Sequence, residues 1–367
     1  MTALQANGDA LAKAIRKSLA GVRRVRASGP GPGAQALRRA YLDLLKLCLC
    51  DLTGTTTASV GPTPEGSVVA RELRGEQMRV RAVGLDWPLQ GMTMSGLRRL
   101  DDLEACVDSV VNDRVDGDFI EAGTWRGGAT ILMRAALDSL GDRERTVWVA
   151  DSFKGFPDAD REKSEPASVN AQLEAYDFLA VPVQEVRDNF ARLGFDEGVR
   201  FVTGFFEDTL PELAGRRWGI VRLDGDSYEA TRVALESLYP DLSPGGYLIV
   251  DDYGAVEECR RAVDEFRREH GIAEPRDAVD WTCVRWRRGS AEPGRELRPV
   301  PPPADESGEV PAARSRALSV PSVREVELAH EVEQLRARLR RVEKGLDLGP
   351  DADATGARPR SEDQEVQ

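Results

Sequence analysis

Two apolar runs in this chain end in carboxylates. ValArgLeu (221–223) runs into Asp224 and Asp226, and TyrLeuIleVal (247–250) runs into Asp251 and Asp252. Asp224, Asp251 and Asp252 together have the donor chemistry of a hard-cation site, since all-oxygen ligands favour Mg2+, Ca2+ or Mn2+ over Zn2+. Both runs read as strands, with a helix-length segment between them. In an open α/β sheet, ligands bind beyond the carboxyl ends of the strands. Asp226, two residues past Asp224, is placed either to take a proton or to orient its neighbours. The plainer alternative is a set of solvated acids that cap helices.

A second chemical signal lies upstream. GluAlaGlyThrTrpArgGlyGly (121–128) joins an apolar run to a helical one. Gly123, Gly127 and Gly128 would let the backbone turn tightly and approach a ligand. The spacing departs from the GxGxxG of dinucleotide folds. Asp151 ends the next apolar run, where a carboxylate can accept both hydroxyls of a ribose. Glu121, just before the turn, points to a cofactor carrying positive charge. S-adenosylmethionine, with its ammonium and sulfonium, fits better than NAD.

The elements around these residues alternate. Strands are expected at 118–123, 146–150, 199–203, 219–223 and 247–250, with helices at 97–111, 128–137, 183–193 and 228–240. That order implies an α/β domain with a mostly parallel sheet. Residues 280–288 read as a closing strand, antiparallel to the rest. Residues 36–50 read as a helix, and 53–67, rich in Thr, Gly and Pro, as a loop.

Composition narrows the function classes. The 367 residues carry a formal net charge of −13, which argues against a nucleic-acid partner. Five scattered cysteines form no zinc pattern and suggest reduced thiols in a cytoplasmic protein. With only two histidines, His270 and His330, a Ser–His–Asp or Cys–His mechanism is disfavoured. No apolar run is long enough to span a membrane, and the N-terminus shows no secretory segment.

The ends differ from the middle. Residues 1–40 are basic and rich in Gly, Ala and Pro, and SerGlyProGlyProGly (28–33) should break a helix, so a mobile arm is expected there. The catalytic domain is expected to span 41–289. Residues 290–321 read as a disordered linker and 349–367 as a disordered tail. Between them, in segment 322–348, Leu328, Val332, Leu335, Leu339, Val342 and Leu346 alternate spacings of four and three. This heptad seam asks for an apolar partner, either a second copy of the chain or another helix.

Several motifs, in order, carry a resemblance. They are TrpProLeuGlnGlyMetThrMetSerGly (87–96), the 118–130 turn, AspSerPheLysGlyPhePro (151–157), GlyPhePheGluAspThrLeuPro (204–211), ArgLeuAspGlyAspSerTyrGluAlaThr (222–231) and SerProGlyGlyTyrLeuIleValAspAspTyrGly (243–254). On these residues the chain resembles the macrocin O-methyltransferase family over about 41–288. The resemblance implies a Rossmann-like class I methyltransferase fold with an N-terminal helical lid. It also implies S-adenosylmethionine, a divalent cation such as Mg2+, and a role in tailoring glycosylated natural products. Carried over by motif, Glu121, Gly123 and Trp125 would line the methionine end of the cofactor, with Met94 and Ser95 approaching from the preceding segment. Asp151 and Ser152 would hold the ribose, and Phe206, Glu207 and Asp208 would bound the adenine. Asp224, Asp251 and Asp252 would bind the metal. The chain departs from the family at ThrGlyThrThrThrAlaSer (53–59), which stands where an aromatic and acidic stretch is usual and could cover the acceptor.

Two other readings compete. Asp224-Gly225-Asp226 is an Asp-x-Asp, the pattern with which metal-dependent glycosyltransferases bind nucleotide-sugar phosphates. A non-catalytic scaffold that recruits partners through the heptad helix is the third.

Overall fold

The computed structural model describes residues 32–62, 68–157, 173 and 176–289. The expected linker, heptad helix and tail, and most of the basic arm, lie outside the described residues. Helix α1 (Pro32–Leu49) starts inside the segment expected to break a helix. Pro32 stands in its first turn, where a missing N–H leaves no helical hydrogen bond unmade. Residues 32–40 therefore belong to a helix rather than to the arm, and Arg38 pairs with Asp108 and Glu104.

Residues 56–62, inside the expected loop at 53–67, also differ from expectation. Instead of a loop, β1 (Thr56–Pro62) and β2 (Val68–Arg74) pair antiparallel, and β1 also pairs with the short β3 (Trp87–Pro88). β-Branched Thr56, Thr57 and Val60 suit a strand. Arg81, in the short helix α2 (Arg79–Ala82), pins this small sheet. Its buried guanidinium donates to Asp86, to Thr57 Oγ1 and to the carbonyls of Cys50 and Ala58.

The main sheet has seven strands. In chain order they are β4 (Asp118–Ala122), β5 (Val147–Asp151), β6 (Val199–Thr203), β7 (Trp218–Leu223), β8 (Leu242–Val250), β9 (Asp277–Ala278) and β10 (Val284–Arg287). Their spatial order is β6-β5-β4-β7-β8-β10-β9. The first five are parallel, and β10 runs antiparallel to β8, as expected for the closing strand. β4 lies between β5 and β7, so the strand order reverses there and opens a crevice at the carboxyl ends.

Both faces of the sheet are covered, which is why β7 is buried along its whole length. Phe119, Ile220 and Ile249 face one core, with α1, α3 (Gly96–Asn112), α4 (Gly128–Leu140) and α5 (Val183–Leu193). Ile120, Val221 and Leu248 face the other, with α7 (Tyr228–Leu238) and α8 (Glu257–Glu269). A one-turn helix, α6 (Phe206–Thr209), follows β6. No helix among the described residues is long and apolar enough to cross a membrane.

Candidate active site

The strand ends meet at backbone level. Asp224 N donates to Ala122 O and Asp251 N donates to Leu223 O, each at 2.9 Å, so the ladder continues one residue past the strands. This aligns Gly123, Asp224 and Asp251 side by side. Gly123 has φ +90, and a Cβ there would fall 1.8 Å from the Asp224 carbonyl oxygen. Only glycine fits where the turn presses on the end of β7. Trp125 (φ +47) and Asp226 (φ +56) also hold left-handed backbone beside the same crevice, a strain that concentrates where function needs a fixed geometry.

One carboxylate oxygen each from Asp224, Asp251 and Asp252 lie within 4.8 Å of one another. Two buried arginines organise this cluster. Arg222 donates to Glu121, to Asp251, to Asp224 Oδ2 at 2.7 Å and to Ser95 Oγ at 2.9 Å. Arg99 donates to the other oxygen of Asp251. Asp226 and Asp252 pair with no arginine or lysine among the described residues. Burial, and next the neighbouring acids, push Asp226 up to about 8 and Asp252 well above the usual carboxylate range. Burial also raises Glu121, to about 7, although the Arg222 charge opposes the rise.

A cavity of about 800 Å³ opens over these groups. Nine acidic residues line it, and Arg99 is its one lining cation among the described residues. Such a wall attracts cationic ligands and repels anions. Its lining includes Met94, Glu121, Gly123, Trp125, Asp151, Ser152, Phe206, Glu207, Asp224, Asp226, Asp251 and Asp252.

Two expected residues stand elsewhere. Ser95 is buried behind the wall, where it accepts from Arg222. Asp208 is exposed on α6, outside the lining. Residues 53–59 line none of the cavity, nor does α1. The segment that reaches over from the N-terminal side is Gly84–Trp87 with Thr93 and Met94.

Two acids are also less free than their sequence positions suggested. Asp151 accepts from the backbone N–H groups of Thr124 (2.8 Å), Trp125 (3.1 Å) and Phe153 (2.8 Å), so it ties the glycine turn to the end of β5. Glu121 accepts from both Arg222 and Thr130 Oγ1. Its first task is therefore to hold Arg222.

Sequence reasoning missed Arg222 and Arg99 as site residues, and also Trp281 and Trp87, which wall the cavity. Arg222 carried a signal: an arginine inside a fully apolar central strand must find buried acids. Arg99 carried none that separates it from its neighbour Arg98.

A family model described as macrocin-O-methyltransferase (TylF) matches residues 39–288. Over 255 residues the chain is 41% identical to mycinamicin III 3''-O-methyltransferase from Micromonospora griseorubida, covering 68% of this chain and 96% of that relative. Over 224 residues it is 47% identical to the 8-demethyl-8-(2,3-dimethoxy-alpha-L-rhamnosyl)-tetracenomycin-C 4'-O-methyltransferase of Streptomyces olivaceus, covering 60% of this chain and 84% of the relative. The solved structure of the O-methyltransferase NovP superposes with a TM-score of 0.59 at 39% identity, covering 68% of this chain and 99% of that one.

Proposed function

The chain belongs to the macrocin-O-methyltransferase family, and from that premise we propose that it methylates a hydroxyl of a sugar or glycosylated natural product with the help of a divalent cation. It is an S-adenosylmethionine-dependent O-methyltransferase of the class I fold. The sugar-linked acceptor is inferred from the relatives, which are named for such substrates.

The observation that carries the cation is the Asp224/Asp251/Asp252 triad, with its oxygens within 4.8 Å at the floor of the cavity. The donor set fits. It is all oxygen, and Asp226 and Asp252 are half-buried acids that repel one another and form no ion pair with an arginine or lysine among the described residues, although the Arg99 charge offsets part of the rise at Asp252. S-adenosylmethionine supplies an activated methyl group, and a divalent cation supplies the charge that lowers the pKa of a bound hydroxyl.

The chain's own residues then do three things. Gly123 and Trp125, with Met94 and Ser152, shape the end of the cavity given to the cofactor, and Phe206 and Glu207 form its rim on the adenine side. Asp224, Asp251 and Asp252 hold the cation. Asp226, on the same wall, would accept the acceptor's hydroxyl proton in its ionised form, which a bound cation beside it would favour. The walls exclude water and align the hydroxyl with the methyl group. The family match and the relatives named as O-methyltransferases disfavour the glycosyltransferase reading.

Calorimetry with S-adenosylmethionine, and labelled-methyl transfer to a panel of glycosides with and without Mg2+, test this reading. Asp252→Ala should cut turnover at least a hundredfold while leaving cofactor affinity within a few-fold. Full activity in excess EDTA would refute the role of the cation.

A further inference from the structure

Asp251 is clasped from two sides, and its second partner reaches well beyond the acidic cluster. Arg222 takes one carboxylate oxygen and Arg99 Nη1 takes the other. Arg99 lies in α3, far along the chain from β8, and is 7% exposed. Its Nε stands 3.0 Å from Asp280 Oδ2. Asp280 is fixed in turn, since its Oδ1 accepts from the N–H groups of Thr282 (3.0 Å) and Cys283 (2.9 Å). Arg99 Nη2 donates to the Gly84 carbonyl at 3.1 Å.

Gly84 begins the wall that carries Leu85, Asp86 and Trp87 over the cavity. Trp281 ties the same wall down, donating from Nε1 to the Val83 carbonyl at 3.2 Å, and its ring lies 5.9 Å from the Arg99 guanidinium. One planar group thus touches the triad through Asp251 and the wall through Gly84.

We propose that Arg99 is a positioning residue that sets the Asp251 carboxylate for the cation and couples the cation site to the Gly84–Trp87 wall. This rests on the reading of Asp224, Asp251 and Asp252 as cation ligands. A carboxylate left to rotate loses the alignment its partners impose, and partners that orient a ligand in this way typically account for 10–100-fold in metal affinity. Lysine is a poor replacement for the fork, because its single nitrogen lacks the three planar positions from which Nη1, Nε and Nη2 stand against Asp251, Asp280 and Gly84 O.

The sign of the effect separates positioning from plain charge. Arg99 is a positive group beside an anionic site, so by Coulomb's law its removal should tighten cation binding. If it positions Asp251, its removal should weaken binding.

The test uses the full chain and Mn2+ alone, with affinity read by calorimetry and by water-proton relaxation, and melting temperature recorded for each variant. Wild type should bind Mn2+, and Arg99→Lys, at unchanged charge, should bind about tenfold more weakly. Arg99→Gln should also bind more weakly, against the Coulomb trend. In wild type, Mn2+ should slow amide exchange in the peptide spanning 79–89, a readout that needs no variant to fold. Mn2+ affinity unchanged in Arg99→Lys, or raised in Arg99→Gln, would overturn the positioning role. Mn2+ binding to wild type with no change in exchange at 79–89 would overturn the coupling. Absence of Mn2+ binding to wild type would instead overturn the reading of the triad itself.

Discussion

Replacing Arg222 with methionine tests the electrostatics of the site most directly. The methionine would leave Glu121, Asp224 and Asp251 around a neutral, similarly shaped side chain. Arg222 is 3% exposed, so water cannot take its place. Removing one partner of a buried ion pair costs about 3–5 kcal/mol. The acids can limit that cost by taking up a proton. Holding a carboxyl protonated costs about 1.4 kcal/mol for each pH unit above its unfolded pKa of roughly 4. For a carboxyl that wild type keeps ionised, that gives up to about 4 kcal/mol at pH 7 and about 2 kcal/mol at pH 5.5, and less for Glu121, which wild type already holds at about 7.

The sign follows from the direction of the shifts. Glu121 and Asp224 already sit above their ordinary range, and Arg222 is the charge that pulls them down. Without it their folded pKa values rise further. A group with a raised folded pKa contributes stability below its unfolded pKa and loses it as pH rises. The variant should therefore lose ground against wild type as pH rises from 5 to 8. Urea unfolding followed by tryptophan fluorescence, with EDTA present, measures both states at each pH. A deficit below about 1 kcal/mol, or an equal deficit at pH 7 and pH 5.5, would refute the argument that one guanidinium neutralises this cluster.

Gly123→Ala should lower stability by about 3 kcal/mol and abolish cofactor binding by calorimetry, since it combines strained backbone with a methyl group driven into the Asp224 carbonyl. A soluble variant with normal affinity would show that the turn can retreat. Asp151→Ala should weaken S-adenosylmethionine binding at least tenfold and lower stability by about 1.5–3 kcal/mol, because the glycine turn loses the carboxylate that ties it to β5. Unchanged affinity and unchanged melting together would exclude both roles. Deleting residues 290–367 should leave cofactor affinity intact while lowering the number of copies per particle seen by light scattering, if the heptad seam joins copies of the chain; an unchanged number of copies would rule out self-association through that segment.

The sequence alone determined the α/β order, strand ends at 123, 150, 223 and 250 that lie within a residue of those observed, and the acids Asp151, Asp224 and Asp251 that follow three of them. Those signals are local. An apolar run flanked by helical periodicity needs no distant partner to be read, and a carboxylate at its end inherits the strand's position. The β1–β2 pair was misread because residues 53–67 are rich in turn formers, while longer-range ties such as Arg81 to Thr57 and to the Ala58 carbonyl hold β1 in place. Ser95 and Asp208 were placed by motif proximity, yet a turn of helix decides whether a side chain faces the cavity, its back or solvent. The tertiary structure alone decided how the charges pair. Arg222 meets Glu121 from another strand, and Arg99 meets Asp251 across 152 residues of chain. A buried charge takes whichever partner the packing brings within reach, and no spacing along the sequence encodes that distance.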